Sequence, residues 1–249
     1  MKPTDQKLTD FGFEKVEAHL KKSKVQQVFN SVATRYDLMN DLMSLGLHRI
    51  WKKIVVAKLA LRPEHSVLDM AGGSGDMSLY MAPYISALGQ LVLVDPNACM
   101  LKEARRRLID RGLLDQVILV RAFAESPPFS QIFDRIVCTF GLRNMNDKNL
   151  ALKHMYDSLK PGGRCIILEF SKPHPSLSNL YKAYTFNFLP KLGAWLAKDD
   201  KSYQYLAESI EKHPDQETLL HLMLEAGFEK VEYFNLSAGI VAYHIGYKF

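Results

Sequence analysis

Five short apolar runs between His65 and Phe170 leave this chain few folds to choose from. Ser66–Met70, Leu91–Asp95, Val117–Val120, Ile136–Thr139 and Cys165–Phe170 are rich in Val, Ile and Leu and barely alternate with polar residues. Strands of that kind belong to a parallel sheet covered on both faces. Between them, Met100–Leu108 and Leu150–Leu159 space their apolar residues for helices. Strand and helix in alternation predict right-handed crossovers and a doubly wound α/β sheet.

The flanks read differently. Val25, Val28, Phe29 and Val32 stand at i, i+3, i+4 and i+7, and Ile50–Leu61 forms a second helical pattern that stops before Pro63. The charged residues 1–23 are expected to be a loosely packed arm. After Phe170 the alternation stops, and Ser171–Glu211 carries Tyr181, Tyr184, Phe186, Phe188, Trp195, Tyr203 and Tyr205. A helix over Gln216–Ala226 and strands over Glu229–Leu236 and Ile240–Tyr247 close the chain. The three residues between those strands suit a hairpin at the sheet edge. The expected organisation is therefore an N-terminal helical arm and cap (1–60), a Rossmann-like core (61–170), an aromatic helical insertion (171–212) and a C-terminal helix with strands that complete the sheet (213–249).

Charge and cysteine usage narrow the setting. Lys plus Arg exceeds Asp plus Glu by 32 − 27 = 5, a mild excess that tolerates an anionic partner without requiring one. Cys99, Cys138 and Cys165 form no C-x-x-C pair, which argues against a disulfide framework or a zinc ribbon. No metal is expected. The polar N-terminus carries no secretion signal, and no apolar stretch approaches the ~18–20 residues of a spanning helix. A cytoplasmic chain able to lie against the inner face of a membrane is the expectation.

The strongest local signal is Val67-Leu68-Asp69-Met70-Ala71-Gly72-Gly73-Ser74-Gly75-Asp76, a buried strand running through glycines into a helix. Gly72, Gly73 and Gly75 let a ligand approach the backbone, and free helix amides can bind an anionic group. Asp95, twenty residues after Gly75 at the end of the next strand, suits the two hydroxyls of a ribose. A dinucleotide fits poorly, because Ser78 replaces the third glycine of the usual register. Asp69 and Asp76 would also repel a pyrophosphate. They suit a ligand with a cationic end, such as S-adenosylmethionine with its ammonium and sulfonium.

With these residues in view, the chain resembles the class I methyltransferases, and within them the ubiquinone/menaquinone biosynthesis C-methyltransferase family. The matching stretches are Phe29 to Asp41, Ala71 to Asp76, Phe140-Gly141-Leu142-Arg143-Asn144, Leu159 to Arg164, Leu168 to Pro173, Tyr205 to Ile210 and His213 to Gln216. The resemblance implies a seven-stranded sheet whose last strand is antiparallel, with N-terminal helices and a helical insertion before the final strand pair. It implies S-adenosylmethionine as methyl donor and a polyprenyl quinol as acceptor, benzoquinol or demethylmenaquinol. By position it assigns Ser74 to the loop, Asp95 to the ribose, Phe123 and Ala124 to the adenine, and Thr139 to the end of the fourth strand. Phe123 stands where the family commonly has Asn or Asp, so adenine contact is expected from main chain and packing.

Carbon methylation needs an acceptor ring made nucleophilic by a deprotonated hydroxyl, and phenols titrate near ~10. A cation beside that oxygen favours the phenolate. Arg143 is expected to stabilise the developing charge and Asn144 to orient the ring, unless Arg143 simply pairs with Asp147. Asp37, His48, Glu169 and His213 are the candidates for proton acceptance through water. Tyr36 and Tyr184 are expected to border the substrate pocket. The aromatic insertion reads as a packed cap that doubles as a lid for a prenyl tail, with Lys182, Lys191 and Lys198 toward anionic headgroups. Arg105-Arg106-Arg107 with Arg111 is expected to be a solvated helix face, and no N-P-P-Y motif follows the fourth strand, so no nucleic-acid partner is expected. Other quinone-synthesis proteins and a second copy of the chain remain compatible as partners. So do a different lipophilic or phenolic acceptor and a non-catalytic cofactor-binding role.

Overall fold

The computed structural model describes residues 8–33, 36–188 and 200–249, leaving aside the side chains of residues 36, 37, 179, 180, 182, 187, 188, 200 and 201. Lys191, Trp195 and Lys198 of the predicted lid, and the side chains of Tyr36, Asp37, Lys182 and Phe188, lie outside these described residues.

The core is one seven-stranded sheet built from β3 (Ser66–Met70), β4 (Gln90–Val94), β5 (Val117–Val120), β6 (Phe133–Thr139), β7 (Leu159–Phe170), β8 (Lys230–Leu236) and β9 (Val241–Tyr247). The strand order is β5-β4-β3-β6-β7-β9-β8. All neighbours pair in parallel up to β7, whereas β9 runs antiparallel to both β7 and β8. The sheet therefore has the expected Rossmann-like form, with its last strand reversed and inserted between β7 and the edge strand β8.

Successive residues of each strand point to opposite faces, and both faces are buried. Val67, Leu91, Leu93, Val137, Ile166 and Leu168 join one apolar cluster. Their neighbours Leu68, Val92, Val94, Ile136, Cys138 and Ile167 join the other. This is why the strands do not alternate in polarity. The first face is covered by helices including α3 (His48–Leu59), whose Trp51, Val55 and Leu59 are buried at i, i+4 and i+8. The Val55 and Leu59 side chains each contribute about 1.5–3 kcal/mol by leaving water. The second face is covered by α6 (Lys148–Ser158) and α9 (Gln216–Glu225). Asp147 and Asp215 cap these two helices by accepting the amides of Leu150 and Thr218.

Two sequence expectations are corrected. The arm expected to be loose forms a hairpin over residues 8–17, with β1 (Leu8–Phe11) paired to β2 (Glu14–Glu17), followed by α1 (Ala18–Val32). Phe11 stacks on Tyr205 at 4.3 Å and Lys21 is 2% exposed, so this segment is held by long-range packing that a local charge count misses. β7 also begins at Leu159 instead of Cys165, because Leu159 pairs with Phe133 across a bulge.

The remaining described α-helices are α2 (Tyr36–Ser44), α4 (Asp76–Met81), α5 (Ala98–Asp110), α7 (Pro175–Ala183), which continues as a π-helical turn through Phe188, and α8 (Asp200–Glu211). The chain steps from β3 outward to β5 and then returns to β6 on β3's other side. That reversal opens a crevice at the carboxyl ends of β3 and β6, where ligands of α/β sheets bind.

Candidate active site

A cleft of about 730 Å³ lies at that reversal. Its floor comes from strand ends: Ala71 and Gly73 after β3, Asp95 to Asn97 after β4, Ala122 to Glu125 after β5, and Phe140, Gly141 and Asn144 to Asn146 after β6. Lys22, Val25, Gln26 and Phe29 of α1 form the facing wall. Asn97 fastens that wall. Its Nδ2 donates to the Gln26 carbonyl and to Oδ1 of Asn30, while its Oδ1 accepts the Met100 amide and caps α5.

Two residues without a glycine's freedom, Ala71 and Phe140, both adopt φ of +55° where β3 and β6 end. Such strain persists only where the surroundings enforce it, and it gathers at functional sites. Gly73 shares that φ and has nothing within 4 Å of where a Cβ would stand, so its backbone lies open to the cleft. Gly72 differs. A Cβ there would lie 2.7 Å from Leu93 Cγ and 2.9 Å from Asp69 Oδ2, so the loop packs directly on the strand beneath it.

Asp95 is the cleft's carboxylate. It is 7% exposed and accepts the Gly73 amide at 3.0 Å and the Asn97 amide at 2.8 Å. Burial outweighs those amides and raises its pKa to about 6. One lone pair on each oxygen remains for hydroxyl donors such as those of a ribose. Phe123 and Ala124 also line the cleft, and Lys22 Nζ lies 4.6 Å from the Phe123 ring centroid. Gly72, Ser74, Gly75 and Thr139, predicted beside them, are not among the lining residues.

Ser74 has a different job. It is buried, and Arg107 Nη1 donates to its hydroxyl at 3.0 Å and to its carbonyl at 3.1 Å. Arg107 also binds Asp76 at 2.6 Å, and Lys52 binds the same carboxylate at 2.7 Å. These two cations hold Asp76 far below the usual carboxylate range despite its burial. Asp69 sits under the loop, takes a hydrogen bond from Ser78 Oγ at 2.7 Å, and is raised to about 7 by burial. The expectation that Asp69 and Asp76 offer negative charge to a cationic ligand is therefore corrected. One is neutralised, the other is sealed beneath the loop, and neither lines the cleft. Arg107 likewise leaves the predicted solvated face to clamp the loop, whereas Arg106 stays at the surface with Glu103 and Asp110.

Arg143 is the larger correction. It is 4% exposed, its Nη1 donates to Glu169 Oε1 at 2.6 Å and to the Phe140 carbonyl at 2.7 Å, and it does not line the cleft. Its partner is Glu169 and not Asp147, so its charge is already balanced. Asn144 does line the cleft. Tyr205 donates its hydroxyl proton to Asn144 Oδ1 at 3.0 Å, and Asn144 Nδ2 lies 3.4 Å from the Phe140 carbonyl. With its oxygen occupied, the amide has N–H to offer the cleft.

Among the other candidate bases, His48 is buried against Asp41 at 2.9 Å. Burial holds His213 neutral, well below the usual imidazole range. Glu169 is committed to Arg143. Tyr184 lines a separate chamber of about 820 Å³ with Met43, Leu45, Leu47, Trp51 and Tyr181, and its hydroxyl donates to the Leu42 carbonyl at 2.6 Å. Trp51 also meets Phe140 at 6.3 Å between ring centroids, which sets a residue of this apolar chamber against a residue of the cleft. Sequence reading gave no role to Gln26, Phe29 or Asn97; an Asn just before a helical pattern was the available sign for Asn97. No group of His, Cys, Asp and Glu that could hold a metal occurs among the described residues.

A family model described as the ubiE/COQ5 methyltransferase family matches residues 17–248. The chain is 50% identical to the ubiquinone/menaquinone biosynthesis C-methyltransferase UbiE of Pectobacterium atrosepticum, over 100% of both chains. It is also 50% identical to the Coxiella burnetii protein of that name, over 98% of each. Among solved structures, it is similar in fold to an S-adenosylmethionine-dependent methyltransferase from Thermotoga maritima. That likeness has a TM-score of 0.65 and 20% identity, covering 90% of this chain and 100% of that one.

Proposed function

From the premise that the chain belongs to the ubiE/COQ5 methyltransferase family, we propose how its residues serve S-adenosylmethionine-dependent C-methylation in ubiquinone/menaquinone biosynthesis. The observation that carries the reading is the pairing of a buried cleft carboxylate, Asp95, with the strained Phe140–Asn144 turn on the opposite side of β3. The lining residues suit S-adenosylmethionine: Asp95 would take the ribose hydroxyls, Gly73 would offer open backbone, and Phe123 and Ala124 would flank the adenine. When bound there it supplies an electrophilic methyl group on a sulfonium leaving group.

Asn144 is the proposed catalytic residue. Its Nδ2 donates to the acceptor's ring hydroxyl oxygen and, as a preorganised dipole, stabilises charge there as the hydroxyl proton passes to a water molecule and on to solvent. Arg143 acts one step back as a positioning residue. It ties the Phe140 carbonyl to Glu169, and Glu169 Oε2 receives the Arg143 amide, so the ion pair staples the turn that carries Asn144. Ser74, Gly72, Gly75 and Thr139 shape the loop and strand end that support the donor.

The acceptor is proposed to be a quinol whose polyprenyl tail occupies the apolar chamber lined by Leu47, Trp51 and Tyr184. Of its lining residues Leu45 is 76% exposed and Leu47 38%, and α3, which supplies Trp51 to the chamber, also carries exposed Ile50 and Lys53. An apolar edge beside a basic side chain suits contact with an anionic membrane surface from which such an acceptor is drawn. Among the described residues no helix is long and apolar enough to cross a membrane. Leu47→Arg tests the chamber. KM should rise for a prenylated quinol and stay unchanged for a tailless one, and an equal effect on both acceptors would place the tail elsewhere.

A further inference from the structure

Arg143 and Tyr205, the groups that hold the Phe140–Asn144 turn, also face a third cavity, a polar one of about 290 Å³. Three lysines converge on it from different elements: Lys21 of α1, Lys148 at the start of α6, and Lys212 just beyond α8. Lys21 is 2% exposed, and its ammonium donates to the Met145 carbonyl at 2.9 Å. Asp10 and Glu125 act on both Lys21 and Lys148 from beyond direct ion-pair contact. Lys148 stands where the helix macrodipole is positive, the wrong end for a cation. Burial and the nearby Lys148 lower Lys21 to about 8, and burial lowers Lys148 as well. The one lining carboxylate, Asp10, lies 2.9 Å from Lys15 and 3.9 Å from Lys212.

Three lysines around a single lining carboxylate leave an excess of positive charge in a small space, and removing that excess from water is costly. The hydroxyl protons of Tyr205 and Ser209 are committed to Asn144 and to the Leu206 carbonyl, so they can only accept. The three lysine ammoniums are the lining side chains best able to donate to a ligand. We propose that this cavity binds a small multiply charged oxyanion of phosphate type, held by Lys21, Lys148 and Lys212. Such a ligand balances the positive charge that Asp10 alone leaves in excess, and it bears on the two side chains that set Asn144. The site is separate from the donor cleft: none of the three lysines lines that cleft.

The test is calorimetric titration of the full chain with inorganic phosphate at constant ionic strength, beside a soluble phosphate monoester. Saturable binding of either ligand is expected, and it identifies whether the phosphate is free or carried. Lys148→Gln and Lys212→Gln, both at partly exposed positions that tolerate a neutral side chain, should each weaken binding roughly tenfold or more, the scale of a charged hydrogen bond. Lys21→Met should do the same, and the two Gln variants decide the matter if it does not fold. Saturating S-adenosylmethionine should leave phosphate binding intact. Absence of saturable binding in the wild type, equal affinity in both Gln variants, or competition with S-adenosylmethionine would each overturn the proposal.

Discussion

Replacing Asp95 with Asn should weaken the donor site without unfolding it. Burial lifts the carboxyl from its ordinary 3.8 to about 6, a displacement equivalent to about 3 kcal/mol. The folded-state pKa is the higher one, so ionising Asp95 opposes folding. That penalty develops as pH rises from about 4 through about 6 and is complete above it. Asn removes this penalty but turns an N–H2 toward one of the amides that Asp95 now accepts, at a cost of about 1–3 kcal/mol. The two effects roughly cancel, and the free variant should melt close to the wild type. Donor binding should suffer, because a charged acceptor for the ribose hydroxyls is lost, worth about 1.5–3 kcal/mol or roughly 10- to 150-fold in affinity. Wild-type affinity should also fall about tenfold between about pH 8 and about pH 5, as roughly ten molecules in eleven become protonated at Asp95, and the variant should lose that dependence. Calorimetry with S-adenosylmethionine at both pH values, with melting curves of the free proteins, measures all of this. A pH-independent wild type, or a folded variant that binds as tightly, would refute the assignment of Asp95 to the ribose.

Glu169→Gln should cost about 3–5 kcal/mol in urea denaturation, because it strands Arg143 without its counter-charge in the interior; an unchanged midpoint would show that the pair is not structurally important. Tyr205→Phe keeps the stack on Phe11 but frees Asn144 to rotate, so kcat should drop roughly tenfold or more while donor affinity stays constant. Matched losses in both would instead mean general disruption. Gly72→Ala should destabilise by about 1–3 kcal/mol in thermal melts and loosen donor binding, since its Cβ meets Leu93 and Asp69 below 3 Å. A variant with wild-type stability would mean that the loop has room to shift.

The strand set and the ligand crevice were legible because their signals are local. Continuous Val/Ile/Leu runs report burial on both faces, and a glycine loop after such a run reports close backbone approach. Asp95, Gly73 and Asn144 were accessible to sequence reading for the same reason, each following a strand, whereas Phe123 and Ala124 were reached through the family resemblance. Charged residues were read less well. Asp76, Arg107, Arg143 and Glu169 have the composition of a ligand site but spend their charge on one another. A one-dimensional pattern gives each residue type but not the partner that neutralises it.

By itself, then, the order of amino acids determined the doubly wound sheet, its crevice at the strand reversal and the family to which the chain belongs. Periodicity and glycine placement are properties of neighbouring residues, and they survive in a linear reading. Tertiary structure alone decided that α1 closes the crevice through Asn97, that the N-terminal hairpin reaches Tyr205, and that Arg143 staples a turn while Asn144 faces the cleft. Each of these rests on contacts between residues 26 to 194 positions apart, where the energy of a buried ion pair or hydrogen bond depends on a partner that folding brings near.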